Sequence, residues 1–181
     1  LVLFAPAALA VDCVQPPADM LSWWTGDDNF NDIIGGYTGT DVGGVTFVPG
    51  MVGQAFIFDG VDDMVSIGSP VIPATGPFTI DLWVESPNLA SLGDPTGTGL
   101  FGQYYNALEN RLYAAFDSER ILFQLGNDFL EYYPSVGFSD NTWYHVAFVR
   151  GDTNVVTIYV NGVAVAAEQF DAKPVDQQPL T

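Results

Sequence analysis

Basic residues are nearly missing from this chain: 4 Lys and Arg stand against 22 Asp and Glu, for a formal net charge of −18 over 181 residues. Phosphate backbones and anionic lipid are held by cations that neutralise them. Nucleic acid is therefore excluded as a partner, and an anionic membrane surface is repelled. Cations, neutral sugars and basic protein patches are the partners such a surface admits. Cysteine is reduced to Cys13 alone, so no disulfide closes within the chain. Histidine is reduced to His145, and one imidazole is a poor start for a zinc centre, which takes several His or Cys ligands. Serine and aspartate are present, but no Gly-x-Ser-x-Gly elbow accompanies them. No apolar run nears the roughly 20 residues that span a bilayer, so no membrane insertion is expected. No segment carries a useful helical stripe, and neither an internal repeat nor a domain boundary is evident.

What the sequence does contain is the two-residue period of β-strands. Phe78, Ile80, Leu82 and Val84 alternate with Thr79, Asp81, Trp83 and Glu85. Val155–Val160 and Val163–Ala167 flank Asn161-Gly162, a pair that tolerates the positive φ angles of a type I′ turn. Leu112–Phe116 and Ile121–Leu125 flank Asp117–Arg120 as a second hairpin, and Ala55–Phe58 and Met64–Ile67 flank Asp59–Asp63 as a third. Trp143–Arg150 adds another strand. Short strands divided by Gly, Pro, Asn and Asp predict an all-β, antiparallel sandwich. Pro87–Gly99, Gln103–Asn110 and Asn127–Ser135 read as the loops that would carry specificity.

Taken in order, "LSWWTGDDNFNDIIGG", "GQAFIFDGVDDMVSIG", "PFTIDLWVE", "NTWYHVAFVR" and "VTIYVNGVAVA" resemble the bacterial laminin-G-like, concanavalin A-like jelly-roll domains, from about Cys13 to Val165. The resemblance implies a two-sheet jelly roll, secretion, frequent calcium binding, and a non-catalytic binding or adhesion role beside other domains of a larger parent protein. It also implies further strands after a "PLT"-like segment, so residues 11–181 are expected to be an incomplete domain lacking C-terminal strands. Residues 1–10 are uncharged and end in Ala8-Leu9-Ala10, the pattern of a partial signal peptide.

Candidate sites follow from oxygen donors and flat rings. Asp27-x-Asn29-x-Asn31 sets oxygens at alternating positions, as calcium loops do. Asp32 replaces the EF-hand turn glycine and Thr38 replaces its bidentate Glu, so this is no EF-hand. The resemblance puts Asp27 and Asp32 first as metal ligands, with Asn29 and Asn31 next. Asp59-Gly60-Val61-Asp62-Asp63 reads as a turn with solvated acids. Tyr104, Tyr105, Tyr132 and Tyr133, in or near loops, are the candidate ligand platforms, because sugar C–H faces stack on aromatic rings. Of the adjacent Trp23 and Trp24, one is expected inside and one outside. Trp143 takes the place of the family's core tryptophan, and His145 reads as a packing residue.

The expected function is a secreted binding module for carbohydrate or an extracellular protein ligand, stabilised by Ca2+. The competing readings are an adhesion module without sugar specificity and a glycoside hydrolase. For the last, Asp81 and Glu85 lie on one strand face, a spacing possible for catalysis and equally an ordinary outer-face pattern.

Overall fold

The computed structural model describes residues 15–89, 98–103 and 111–181. Cys13, Tyr104 and Tyr105 therefore lie outside the described residues. Within them the fold is all-β, and no helix is long and apolar enough to cross a membrane.

The sandwich is built by two four-stranded antiparallel sheets. The first has the order β12 (Val163–Gln169), β11 (Val155–Val160), β10 (Tyr144–Arg150), β5 (Phe78–Val84). The second has the order β6 (Thr98–Gln103), β7 (Leu112–Phe116), β8 (Ile121–Leu125), β9 (Asp128–Tyr132). Alternation decides which side chains face inward. Phe78, Val146, Phe148, Val156 and Ile158 from the first sheet meet Leu112, Phe116, Ile121, Phe123 and Leu125 from the second, and all are buried. Phe123 and Phe148 stack across the gap with ring centroids 5.3 Å apart. Two hairpins expected from sequence form as read: β7–β8, and β11–β12 around Asn161 (φ 50°) and Gly162 (φ 79°).

The third expected hairpin does not form. β3 (Gln54–Ile57) pairs with β2 (Thr46–Pro49), while β4 (Met64–Ile67) pairs with β1 (Gly39–Val42). The pairing is nested, and Asp59–Asp63 is a corner between two small sheets. Phe56 is drawn away from β4 by stacking on Phe30, with centroids 5.5 Å apart, and by contact with Phe47 at 5.8 Å. Gly43 and Gly44, with φ of 95° and 126°, turn the chain from β1 into β2. A Cβ at Gly43 would lie 2.6 Å from the Asp62 carbonyl oxygen, so only glycine fits the corner.

Leu180 bridges Ile67 of β4 and Gln103 of β6. The bonds are Ile67 N to Leu180 O (2.7 Å), Gly102 N to Thr181 O (2.6 Å) and Thr181 N to Gly102 O (2.8 Å). These residues tie the β1–β4 pair to the second sheet. Beside them Gln103 is fully buried; its Oε1 accepts from Val71 N and Ile72 N, and its Nε2 donates to the Ile72 and Asp176 carbonyls. A buried amide is tolerated only with such partners.

Candidate functional site

The segment holding the expected metal ligands is ordered by its own side chains. Asp32 is buried, and its Oδ1 accepts the backbone N–H groups of Trp23 (2.8 Å), Ile34 (2.9 Å) and Gly35 (3.0 Å). Its Oδ2 accepts from Tyr37 N at 3.2 Å. Burial alone would raise the Asp32 pKa, but these four backbone donors together hold it below the usual carboxylate range. A carboxylate ringed by N–H dipoles is poorly placed to coordinate a cation, so Asp32 fits the role of loop organiser better than that of ligand. Asp27 Oδ1 accepts from Gln54 N, Asn29 Nδ2 donates to the Asp27 carbonyl, and Asn29 Oδ1 accepts from Asn31 N. The fit to calcium, which takes six to eight oxygens, is thus partial for this segment. Asp59, Asp62 and Asp63 bring carboxylate oxygens within 4.8 Å of one another, although Asp59 Oδ1 already accepts from Val61 N and Asp63 Oδ2 from Asp59 N. The sequence reading of this corner as a turn held by its own acids describes those bonds.

Of the four candidate tyrosine platforms, Tyr132 and Tyr133 lie within the described residues. Tyr132 and Tyr133 were expected in a loop, but Asp128–Tyr132 is strand β9. Tyr132 is half-buried against Phe138 and packs on the central core, because it follows the inward Leu130 by two positions. Tyr133 is exposed and hydrogen-bonds Arg120. Trp143 is half-buried and stands outside the core cluster, contrary to the expectation that it is a core residue. Trp23 is exposed while Trp24 is half-buried, with Nε1 donating to the Tyr37 carbonyl at 2.8 Å, as the opposite facing of neighbours predicts.

A different set of residues does converge, on the outer face of the first sheet. The inward Phe78, Ile80, Leu82 and Val84 leave Thr79, Asp81 and Trp83 pointing to solvent, and the exposed Glu85 follows just past the strand's end. Register then decides their neighbours. His145 stands opposite Trp83, Ala147 opposite Asp81, and Tyr159 opposite Ala147 from the other side. The Trp83 ring is 43% exposed and lies 5.2 Å from the His145 ring, centroid to centroid. His145 Nε2 is 3.3 Å from Asp81 Oδ1. Ala147 is buried between Asp81 and Tyr159, with Trp83 and His145 at one end of the row. The hairpin turn fixes that end: Asn161 Oδ1 accepts from His145 N at 2.9 Å, and Asn161 N donates to the His145 carbonyl at 2.8 Å. Chemically the face offers flat apolar surface, carboxylate acceptors and an imidazole.

It is poorly arranged for glycoside hydrolysis by the pair expected from sequence. Asp81 and Glu85 are four residues apart, or about 13 Å of strand, with Trp83 between them. The two carboxyls of a glycosidase stand about 5–5.5 Å or 6.5–9.5 Å apart. Sequence alternation exposed the β5 half of this face. The β10 half depends on a pairing across some sixty positions, which no local pattern reports.

Comparison with known proteins gives a consistent fold. The laminin-G-type family model described as the concanavalin A-like lectin/glucanases superfamily matches residues 58–181, most of the chain. No curated protein matches the chain in sequence. Among solved structures, domain 4 of AbnA, an extracellular GH43 arabinanase of Geobacillus stearothermophilus solved with arabinotriose, aligns with a TM-score of 0.63 at 15% identity, covering 88% of this chain and 89% of that one. The binding domain of paraclostridial mosquitocidal protein 1 aligns at 0.67 and 14% identity, covering 88% of this chain and 48% of that one. A structure of botulinum neurotoxin type C, whose cell entry depends on two ganglioside molecules, aligns at 0.61 and 15%, covering 89% and 41%. The chain thus spans under half of either toxin structure. At these identities the likeness is one of fold.

Proposed function

The chain belongs to the concanavalin A-like lectin/glucanases superfamily, and from that premise we propose that it is a secreted, non-catalytic module that binds carbohydrate through the outer face of β5 and β10. The observation that carries the reading is the exposed Trp83 ring set among Asp81, Glu85 and His145. A sugar needs one flat apolar surface for its C–H face and several polar groups for its hydroxyls. Tyr159, opposite Ala147 on the neighbouring strand, adds a second aromatic side chain to the same face.

The arabinanase domain solved with arabinotriose and the toxin dependent on gangliosides support a glycan as the ligand class. Binding to a panel of polysaccharides tests the proposal. Trp83→Ala is expected to weaken any interaction about tenfold, in line with the 0.5–1.5 kcal/mol of an aromatic contact beyond area burial. Full retention of affinity in that variant would remove this face from the function.

A second reading, adhesion to a protein surface, is favoured by the exposed Trp23, Ile33 and Ile34 around the Asp32 loop. Glycan binding lost with Trp83→Ala separates the first reading from the second.

Calcium belongs to the proposal as a stabiliser of the N-terminal segment. Asp27, Asn29 and Asn31 would supply oxygens, and Asp32 would hold their loop in shape. Calorimetric titration with Ca2+ is expected to give heat and a raised Tm; neither would appear if the segment is merely a turn.

A further inference from the structure

We propose that the Trp83 face selects neutral glycans and turns away acidic ones, with Asp81 and Glu85 as the selecting residues. The proposal rests on the carbohydrate reading above and narrows it to a substrate class.

Three observations carry it. First, Asp81 sits two residues before Trp83 on the same strand face, and the exposed Glu85 follows directly after the last residue of β5 on the other side of that ring. Asp81 is about 7 Å along the strand from the ring, and Glu85 stands at the strand's end, so a sugar stacked on Trp83 meets carboxylates of the chain on this side. The Asp81 side chain is 55% exposed, and its charge faces the ligand side.

Second, the chain has 4 basic side chains in all, and every one is engaged elsewhere. Arg120 is bonded to Asp117 and Glu131 at the β7–β8 turn of the other sheet. Arg111 stacks on Tyr113, 4.3 Å from the ring centroid, also on that sheet. Lys173 pairs with Asp128 and Asp171. Arg150 is on β10, but it points inward, is buried and bonds Asn154. No Lys or Arg side chain therefore stands on the Trp83 face to receive a carboxylate or sulfate, although such groups are recognised chiefly by Arg and Lys.

Third, the sole remaining cation precursor, His145, already has Nε2 against Asp81, so its proton answers a carboxylate of the protein before one of a ligand. Hydroxyls have no such conflict, since a carboxylate accepts their hydrogen bonds.

The magnitude is modest and readable. Two unit charges about 7 Å from an acidic sugar, in near-bulk dielectric, weaken its binding roughly tenfold relative to a neutral sugar. Salt should shrink the gap, because the Debye length falls to about 10 Å at 0.1 M.

The experiment is calorimetric titration of the chain with neutral oligosaccharides and with uronic-acid oligosaccharides of matched length, at low and at high salt. Neutral sugars are expected to bind about tenfold more tightly at low salt, and Asp81→Asn and Glu85→Gln each to narrow the ratio. Acidic sugars binding as tightly as neutral ones at low salt would overturn the selection while leaving the carbohydrate reading in place. Binding of neither class, with Trp83→Ala indistinguishable from the parent chain, would overturn both.

Discussion

Residues 15–69 and residues 70–181 achieve the same antiparallel sheet by different means. In the second region the side chains of Phe116, Phe123, Phe148, Ile121, Ile158 and Val156 are essentially withdrawn from water between two sheets. In the first, Leu21, Trp23, Ile33, Val52, Phe58 and Val61 remain exposed, and Val45 and Ile67 are the buried apolar residues. Aspartates hold the turns there instead. Asp32 gathers four backbone N–H groups, Asp41 accepts from Gly44 and Val45, Asp27 from Gln54, Asp59 from Val61, and Asp63 from Asp59. Packing dominates the second region, although Asp117, Asp128 and Asp140 accept backbone N–H groups there too. Carboxylate–amide bonds take the larger share in the first, beside the cluster of Phe30, Phe47 and Phe56, so the two should respond to different insults. The acidic composition is, in part, the material from which the N-terminal turns are made.

Truncation of the core gives the largest expected effect. Phe148→Ala removes a fully buried ring in contact with Phe101 and Phe123 and should lower stability by about 3–5 kcal/mol, unfolding both regions together in urea. Phe56→Ala, in the half-buried N-terminal aromatic cluster, should lose less than half of that; equal losses would erase the distinction between the regions.

Next in size is Asp32→Ala. It strands four N–H donors, a loss of about 2 kcal/mol in a partly solvated loop. Amide exchange should quicken at Ile34, Gly35 and Tyr37 while Val146 and Phe148 stay protected.

Acid should act in the same place. The folded-state pKa of Asp32 is depressed, so its stabilising contribution is complete above the unfolded value near 3.9 and is lost as pH falls through the lower folded value. Exchange followed below about pH 4 is expected to show the N-terminal region opening ahead of the sandwich. Simultaneous opening would mean that packing governs both.

Asn161→Ala is smaller: a side chain poorly suited to φ 50° and the loss of the bond to His145 N should together remove about 1 kcal/mol. It should also loosen the His145 end of the Trp83 face, seen as faster amide exchange at His145 with the fold kept. The smallest effect on stability, within about 0.5 kcal/mol, belongs to the exposed Trp83→Ala.

The same division explains what could be read in advance. Strands β5, β7, β8, β10 and β11 were legible because they face a closed core, which imposes strict alternation or a full apolar run on the sequence. β1 (GTDV) and β2 (TFVP) are short and half-open, so little pattern is required of them, and neither was foreseen. Pairing of β3 with β4 seemed natural from proximity, yet the ring cluster of Phe30, Phe47 and Phe56 draws β3 to β2. In the candidate site, Asp81 and Glu85 were visible as one face, but Trp83 gained its meaning only when His145 and Tyr159 were placed beside it by long-range register. The four N–H bonds to Asp32 were not legible, because a sequence cannot show which way backbone N–H groups point.

The junction at Leu180 and Thr181 has a mechanical consequence. Their three backbone bonds reach β4 on one side and β6 on the other, and antiparallel bonds lie across the strand axis. A pull on Thr181 along that axis would load them side by side in shear rather than peel them one at a time. The tension would divide between the packed region and the aspartate-held one, so a force applied at Thr181 would load both together.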